Sequence, residues 1–291
     1  MPSRVLRARS EQGANDKQST ERGLARDIGV PRKSRVYPFF VLLALTGFNA
    51  SVAAAEGCPT SKDEIATDRP DVTNSSLVVP TGSFQSENGI NLSRRDGATY
   101  FDGTNSRLRL GVAPCLEVLV DVPDYFAVLS GEGPSGATDV TPAIKWQISP
   151  VPGKIDLSAV VGAGLPTGTP SIVGRGVEPY LQFPWSWKLG GGWSVNGMDT
   201  AFFFPSEPVN KLTIETTVSF EKEIGEHADV FIEYVGDYPE HGPSPIFLNS
   251  GGAYRLTKTE QLDFHLAVGL DKSAPEYIFG LGYSFRVDGL F

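Results

Sequence analysis

The sequence predicts an all-β fold, an antiparallel up-and-down transmembrane β-barrel of about 12 strands. Three observations carry this. Apolar and polar residues alternate through a dozen short stretches, the connections between those stretches are alternately short and long, and the chain ends in a two-faced strand that stops on Phe291. Successive side chains leave a strand on opposite sides, so each stretch has one hydrocarbon face and one wet face, as a tilted strand in a bilayer requires.

Residues 1–55 read as a leader. The apolar run 36–55 follows Arg32, Lys33 and Arg35 and ends in Ser51, Val52, Ala53, Ala54 and Ala55, the layout of a secretory signal cut after Ala55. Residues 1–30 are polar and unpatterned, and Met1 and Met198 are the only methionines, so translation is expected to begin near Val30 at a non-Met codon. Once the leader is removed, sixteen basic and thirty acidic residues remain. A chain this acidic, with no basic patch, excludes nucleic acid as a partner. Cys58 and Cys115 travel to an oxidising compartment and are expected to form a disulfide. The three histidines are scattered, which argues against a metal site, and no cofactor is expected. Residues 56–81, polar and containing Pro59, Pro70 and Pro80, read as a periplasmic segment, a flexible tail in preference to a plug folded into the lumen. The barrel is assigned to 82–291.

After the leader no run of eighteen apolar residues exists, so no helix crosses a bilayer. Strands are expected at 83–92, 106–112, 116–122, 140–148, 154–163, 179–187, 193–203, 212–221, 228–234, 247–256, 262–268 and 277–291. The third sets Leu116, Val118, Val120 and Val122 against Glu117 and Asp121. The fourth sets Ile144, Trp146 and Ile148 against Lys145 and Gln147, and the fifth Ile155, Leu157, Ala159 and Val161 against Asp156 and Ser158. The eighth opposes Leu212, Ile214, Val218 and Phe220 to Glu215, Ser219 and Glu221, and the eleventh opposes Leu262, Phe264, Leu266 and Val268 to Asp263 and His265. In the last, Tyr277, Phe279, Leu281, Tyr283, Phe285 and Val287 oppose Gly280, Gly282, Ser284 and Arg286.

Connections after even strands are short: 113–114, 149–153, 188–192, 225–227 and 257–260. Those after odd strands are mostly longer: 93–105, 123–139, 165–178, 204–210, 235–246 and 271–276. Short periplasmic turns and long outer loops are the outer-membrane pattern, with both chain ends on the periplasmic side. The arrangement puts Cys115 on the same side as Cys58. Trp146, Trp185, Trp187, Tyr234 and Tyr283 lie near strand ends, where interfacial aromatic girdles form. A soluble secreted β-barrel that binds a small ligand shares the alternation but explains neither the leader nor the terminal phenylalanine.

Several motifs occur in a fixed order: 67–73 reads TDRPDVT, followed by Val79-Pro80-x-Gly82-x-Phe84-Gln85-x-Glu87; then come Leu165-Pro166-Thr167-Gly168, the stretch 178–185, Glu233-Tyr234-x-Gly236-Asp237-Tyr238-Pro239 and the closing Gly280-x-Gly282-Tyr283-Ser284-Phe285. With these the chain resembles the family named for the meta-pathway of phenol degradation, outer-membrane transporters encoded near aromatic-catabolism genes. The resemblance runs from about Asp68 to Phe291. It implies a barrel in the outer membrane of a Gram-negative bacterium that passes small, hydrophobic compounds, and it supplies no catalytic or ligand residues.

If the apolar parity faces lipid, the lumen receives Arg107, Arg109, Glu117, Asp121, Lys145, Asp156, Glu215, Glu221, Glu233, Asp263 and His265 as pore-lining candidates. Twelve strands leave a passage on the order of 10 Å before side chains intrude. The acidic excess predicts a weak preference for cations or neutral solutes over anions. The expected partners are outer-membrane lipid, the barrel assembly machinery acting through the strand that ends at Phe291, and a small-molecule solute. Two other functions compete. A membrane-embedded hydrolase needs a histidine beside a nucleophile or acid, and His265 shares a face with Asp263, but no serine or histidine motif accompanies it, so the chain is not expected to be an enzyme. A structural or adhesive barrel needs partner-binding loops, and 123–139 and 165–178 offer little beyond Tyr125 and Phe126.

Overall fold

A strand whose two faces differ this sharply has to hide its backbone from lipid, and a sheet does so by closing on itself. The computed structural model describes residues 64–151 and 155–291, and its strands form twelve staves joined edge to edge. They are β1 (Phe84–Arg95), β2 (Ala98–Ala113), β3 (Leu116–Asp121 continued by Tyr125–Ser130), β4 (Gly136–Ala137 continued by Thr141–Val151), β5 (Ile155–Gly164), β6 (Glu178–Gly190), β7 (Trp193–Phe203), β8 (Leu212–Ile224), β9 (Ala228–Pro239), β10 (Ile246–Thr257), β11 (Glu260–Gly269) and β12 (Tyr277–Val287). Each pairs antiparallel with its neighbours in sequence, and β1 pairs with β12 to close the cylinder. All twelve expected strands are present.

The burial pattern is that of a soluble protein turned inside out. Val118, Ile144, Trp146, Val161, Phe183, Phe220, Ile232, Phe264, Leu266, Phe279 and Leu281 are exposed on the outer wall. Glu87, Arg109, Glu117, Lys145, Gln147, Ser158, Thr217, Glu233 and Asn249 are buried inside. Such a cylinder is stable only with hydrocarbon around it, which is the architecture of a transmembrane β-barrel.

Three expectations about connections need correcting. The outer connection expected at 93–105 is only the turn Asp96–Gly97, because β1 and β2 continue past the predicted ends. Asp96 and Gly97 both have positive φ (50° and 77°), the mirror-image turn that matches strand twist, and Asp-Gly is the dipeptide that tolerates it. The loop expected at 123–139 is mostly strand too, interrupted where Asp124 caps the irregular backbone of Asn105 on β2. The last strand ends at Val287 rather than Phe291: Gly289 has φ 76°, Leu290 donates its N–H to Gly82 O (2.8 Å), and Phe291 lies exposed. The other connections keep the predicted asymmetry, with turns at 191–192, 225–227 and 258–259 against links at 165–177, 204–211, 240–245 and 270–276.

Residues 64–81 correct a fourth expectation. They do not hang free as a tail but fold into the lumen. The segment enters beside the short turns, where Ile65 N–H donates to Lys258 O (2.8 Å), and leaves beside β2, where Gly82 N–H donates to Gly111 O (2.9 Å). Cys115 sits in the turn after β2, with φ 61°. Cys58, the leader and its cleavage point lie outside the described residues.

Candidate functional site

The site is the lumen at the level where this segment crosses it. Inward parity on β1–β4 brings Glu87, Arg107, Arg109, Glu117, Asp121 and Lys145 onto one wall, and the segment presses Asp68 into their midst. Arg109 is the hub. Its Nε and Nη2 donate to the two oxygens of Glu117 (2.9 and 3.1 Å), its Nη1 donates to Glu87 Oε1 (2.8 Å), and the same guanidinium reaches Ala66 O and Leu77 O of the segment. Arg107 bridges Asp121 (2.6 Å) and Asp68 (2.9 Å), and Lys145 Nζ lies 3.3 Å from Asp68 Oδ1. Three cations thus meet four carboxylates, nearly all of them buried from solvent. A buried network of this kind fixes geometry, because loss of one partner strands the others.

Backbone amides of the segment complete the seating. Asp68 N–H donates to Glu87 Oε2 (2.9 Å), Val79 N–H to Glu117 Oε2 (2.6 Å) and Val78 N–H to Gln147 Oε1 (3.1 Å). On the opposite wall Glu233 accepts from Val72 N–H (2.9 Å) and from both N–H and hydroxyl of Thr73 (2.7 Å each). Arg69 reaches Asp263 (3.2 Å). The chain is therefore strung across the lumen by charge-assisted bonds at both sides, the stronger class of hydrogen bond.

Two acids of the segment are pushed in opposite directions. Burial would raise Asp68, but Arg109, Lys145 and Arg107 outweigh it and hold its carboxyl well below the usual range. Asp71 has burial and then the negative charges of Glu233 and Glu221 acting together, so its carboxyl lies well above the usual range.

Among the described residues, three cavities border the segment, of about 390, 180 and 70 Å³. Asp71 lines all three. The largest, beneath the segment, carries Asp71, Asp156, Glu221 and Glu223 against the single cation Lys188. Towards the outer loops the wall turns apolar, with one cluster of Val235, Phe247, Ala267, Ala274 and Ile278 packed on Val72, and another of Leu119, Ala143, Val160, Tyr180, Phe202 and Phe204.

All eleven residues expected in the lumen face it, but they do not form one site. Arg107, Arg109, Glu117, Asp121 and Lys145 share the network around Asp68. Glu233 and Asp263 anchor the segment from the other side. Asp156 and Glu221 line the large cavity, and Glu215 stands apart. His265 lies between Asn249 Oδ1 (3.2 Å) and Asn91 Oδ1 (3.3 Å), while Asp263 is engaged by Arg69, so the pair expected to test a hydrolase is not assembled. Asp68, Arg69, Asp71, Thr73 and Glu87 were missed as functional residues. The signal was present in TDRPDVT, a charged, proline-braced stretch too short of apolar residues to fold without a charged partner.

No curated protein matches the chain. Among solved structures, an outer membrane channel from Pseudomonas putida F1 is similar over 73% of this chain and 98% of its own, at 15% identity and a TM-score of 0.58. The NanC porin is similar over 70% of this chain and 100% of its own, at 7% identity and a TM-score of 0.50. At such identities the likeness is one of fold. A family model matches residues 67–287, from within the lumen segment to the end of β12. By that match, which includes the plug as well as the wall, the chain belongs to the family described as "Putative MetA-pathway of phenol degradation".

Proposed function

We propose that the protein is an outer-membrane channel for small, hydrophobic or aromatic solutes, with residues 64–81 as its constriction. The observation that carries this is Asp71, the one residue shared by all three cavities, held at the crossing where the wall changes from apolar to acidic. An apolar approach favours a solute leaving the outer loops, and the acidic chamber beneath disfavours anions, so neutral molecules and cations are preferred. His265 is held by the side-chain amides of Asn249 and Asn91, an arrangement that supports a wall residue over a catalytic base.

Cleavage after Ala55 frees the segment, a Cys58–Cys115 disulfide ties its start to the first short turn, and the C-terminal strand presents the barrel to its assembly machinery. Proteoliposome swelling tests the channel. Phenol and uncharged aromatic alcohols should enter faster than benzoate, and deleting residues 64–80 should raise the rate for all of them. Equal rates for intact protein and empty liposomes, with no gain on deletion, would defeat the proposal.

A further inference from the structure

A fully buried lumen carboxylate lies outside both the network that seats the segment and the cavities around it. Glu215 points inward from β8 and is 2% exposed, yet its Oε2 has no hydrogen-bond partner. Its register partners are Thr200 on β7 and Asp237 on β9, both inward and buried. The hydroxyls of Thr200 and of Thr213, which precedes Glu215 by two positions on the same face, are fully buried and likewise lack partners. Residues directly opposite in antiparallel strands hold their Cβ atoms about 4.5–5.5 Å apart, so these oxygens share one patch of wall. The buried cations Arg107, Arg109 and Lys145 are committed elsewhere, to Asp68, Glu87, Glu117 and Asp121. Buried carboxylates are paired, protonated or bound to metal, and hydroxyls aimed at the same spot supply neutral oxygen.

We propose that Glu215, Asp237 and Thr200, with Thr213 beside them, bind a hard divalent cation, with calcium as the best fit. The donors are all oxygen, two carboxylates balance two positive charges, and calcium accepts irregular coordination completed by water. Among the described residues no cluster of three or more His, Cys, Asp or Glu has metal-binding geometry, so this site is poor in charge and suited to the weak, about 10⁻⁴–10⁻³ M affinities of extracellular calcium modules. The ion stitches β7, β8 and β9 together on the inner wall. This assignment stands whether or not the barrel passes solutes.

The test uses the mature full chain folded in detergent and stripped with a chelator. Calcium chloride should raise its unfolding temperature saturably, and magnesium at equal concentration should do so less. Glu215→Gln should abolish the calcium response while the barrel still shows its heat-modifiable band shift. Thr200→Val, a milder change that keeps the fold if Glu215→Gln does not, should weaken the apparent affinity by about tenfold or more, the scale seen when a metal site loses a supporting group. Indifference of the wild type to calcium overturns the proposal. So does an unchanged calcium response in both variants, or a stabilisation of the wild type by acid that Glu215→Gln removes, which would assign a proton to Glu215 instead.

Discussion

Arg109 shows how one side chain can hold two parts of a chain together. It touches the wall at Glu87 and Glu117 and the lumen segment at Ala66 and Leu77, and it is 1% exposed. Replacing it with Ala leaves two carboxylates buried without their cation, a change that costs about 3–5 kcal/mol. Denaturant unfolding of the folded barrel should show that loss for Arg109→Ala, and a much smaller one for Arg94→Ala, whose partner Glu276 is half exposed. Asp68 and Asp71 make a paired prediction about pH. Asp68 has a depressed carboxyl, so its contribution is present above the ordinary Asp value of about 3.9 and is lost only as pH falls through its lower folded value. Asp71 has a raised carboxyl, so its contribution is present below the ordinary value and lost as pH rises through the higher one. The segment should therefore sit firmly in mild acid and loosen as pH rises, which planar-bilayer recording would report as conductance increasing with pH. Asp71→Asn should flatten that dependence, and an identical slope in the variant would remove Asp71 from the account.

At the level of elements, the lumen segment and β2 fit because of a missing side chain. A Cβ on Gly111 would collide with the backbone carbonyls of Val79 and Pro80, where the segment passes out beneath β1. Gly111→Ala should lever residues 79–82 off the wall, and limited proteolysis should cut the segment faster than in wild type. Gly225, in the turn between β8 and β9, has φ 67° but open space around it, so Gly225→Ala should cost only about 1 kcal/mol of backbone strain and leave the segment protected. The strands themselves were legible because alternation with period two survives whichever face is buried. Their ends were less so. Residues 93–95 and 98–105 carry few apolar side chains and read as loop, yet they pair because the turn at Asp96–Gly97 forces the chain back on itself. Residues 288–291 read as strand by parity, but Gly289 takes a left-handed turn and Leu290 bonds back to Gly82.

For the whole molecule, a wall that is apolar outside and charged inside predicts a barrel that resists detergent while folded and runs anomalously on unboiled gels. Single-channel recordings of the intact protein should show a small conductance that rises severalfold on removal of residues 64–80, because the cavities the segment borders then merge into one bore. Equal conductance before and after removal would mean that the segment lies aside from the path.

The sequence by itself determined the number of strands, their parity, which charges face inward and which end of the barrel has short turns, since each of these follows from periodicity along the chain. Only the tertiary structure decided that Asp68 meets Arg107, Arg109 and Lys145, that Glu233 anchors Thr73, and that Glu215 is left beside Thr200 and Asp237. Those outcomes depend on which strands become neighbours when the sheet closes and on where an irregular segment can bring its backbone amides against buried carboxylates. No local pattern encodes either: the lumen residues lie dozens of positions apart, and the segment has no periodicity of its own, only charges that find their partners once burial makes water a poor alternative.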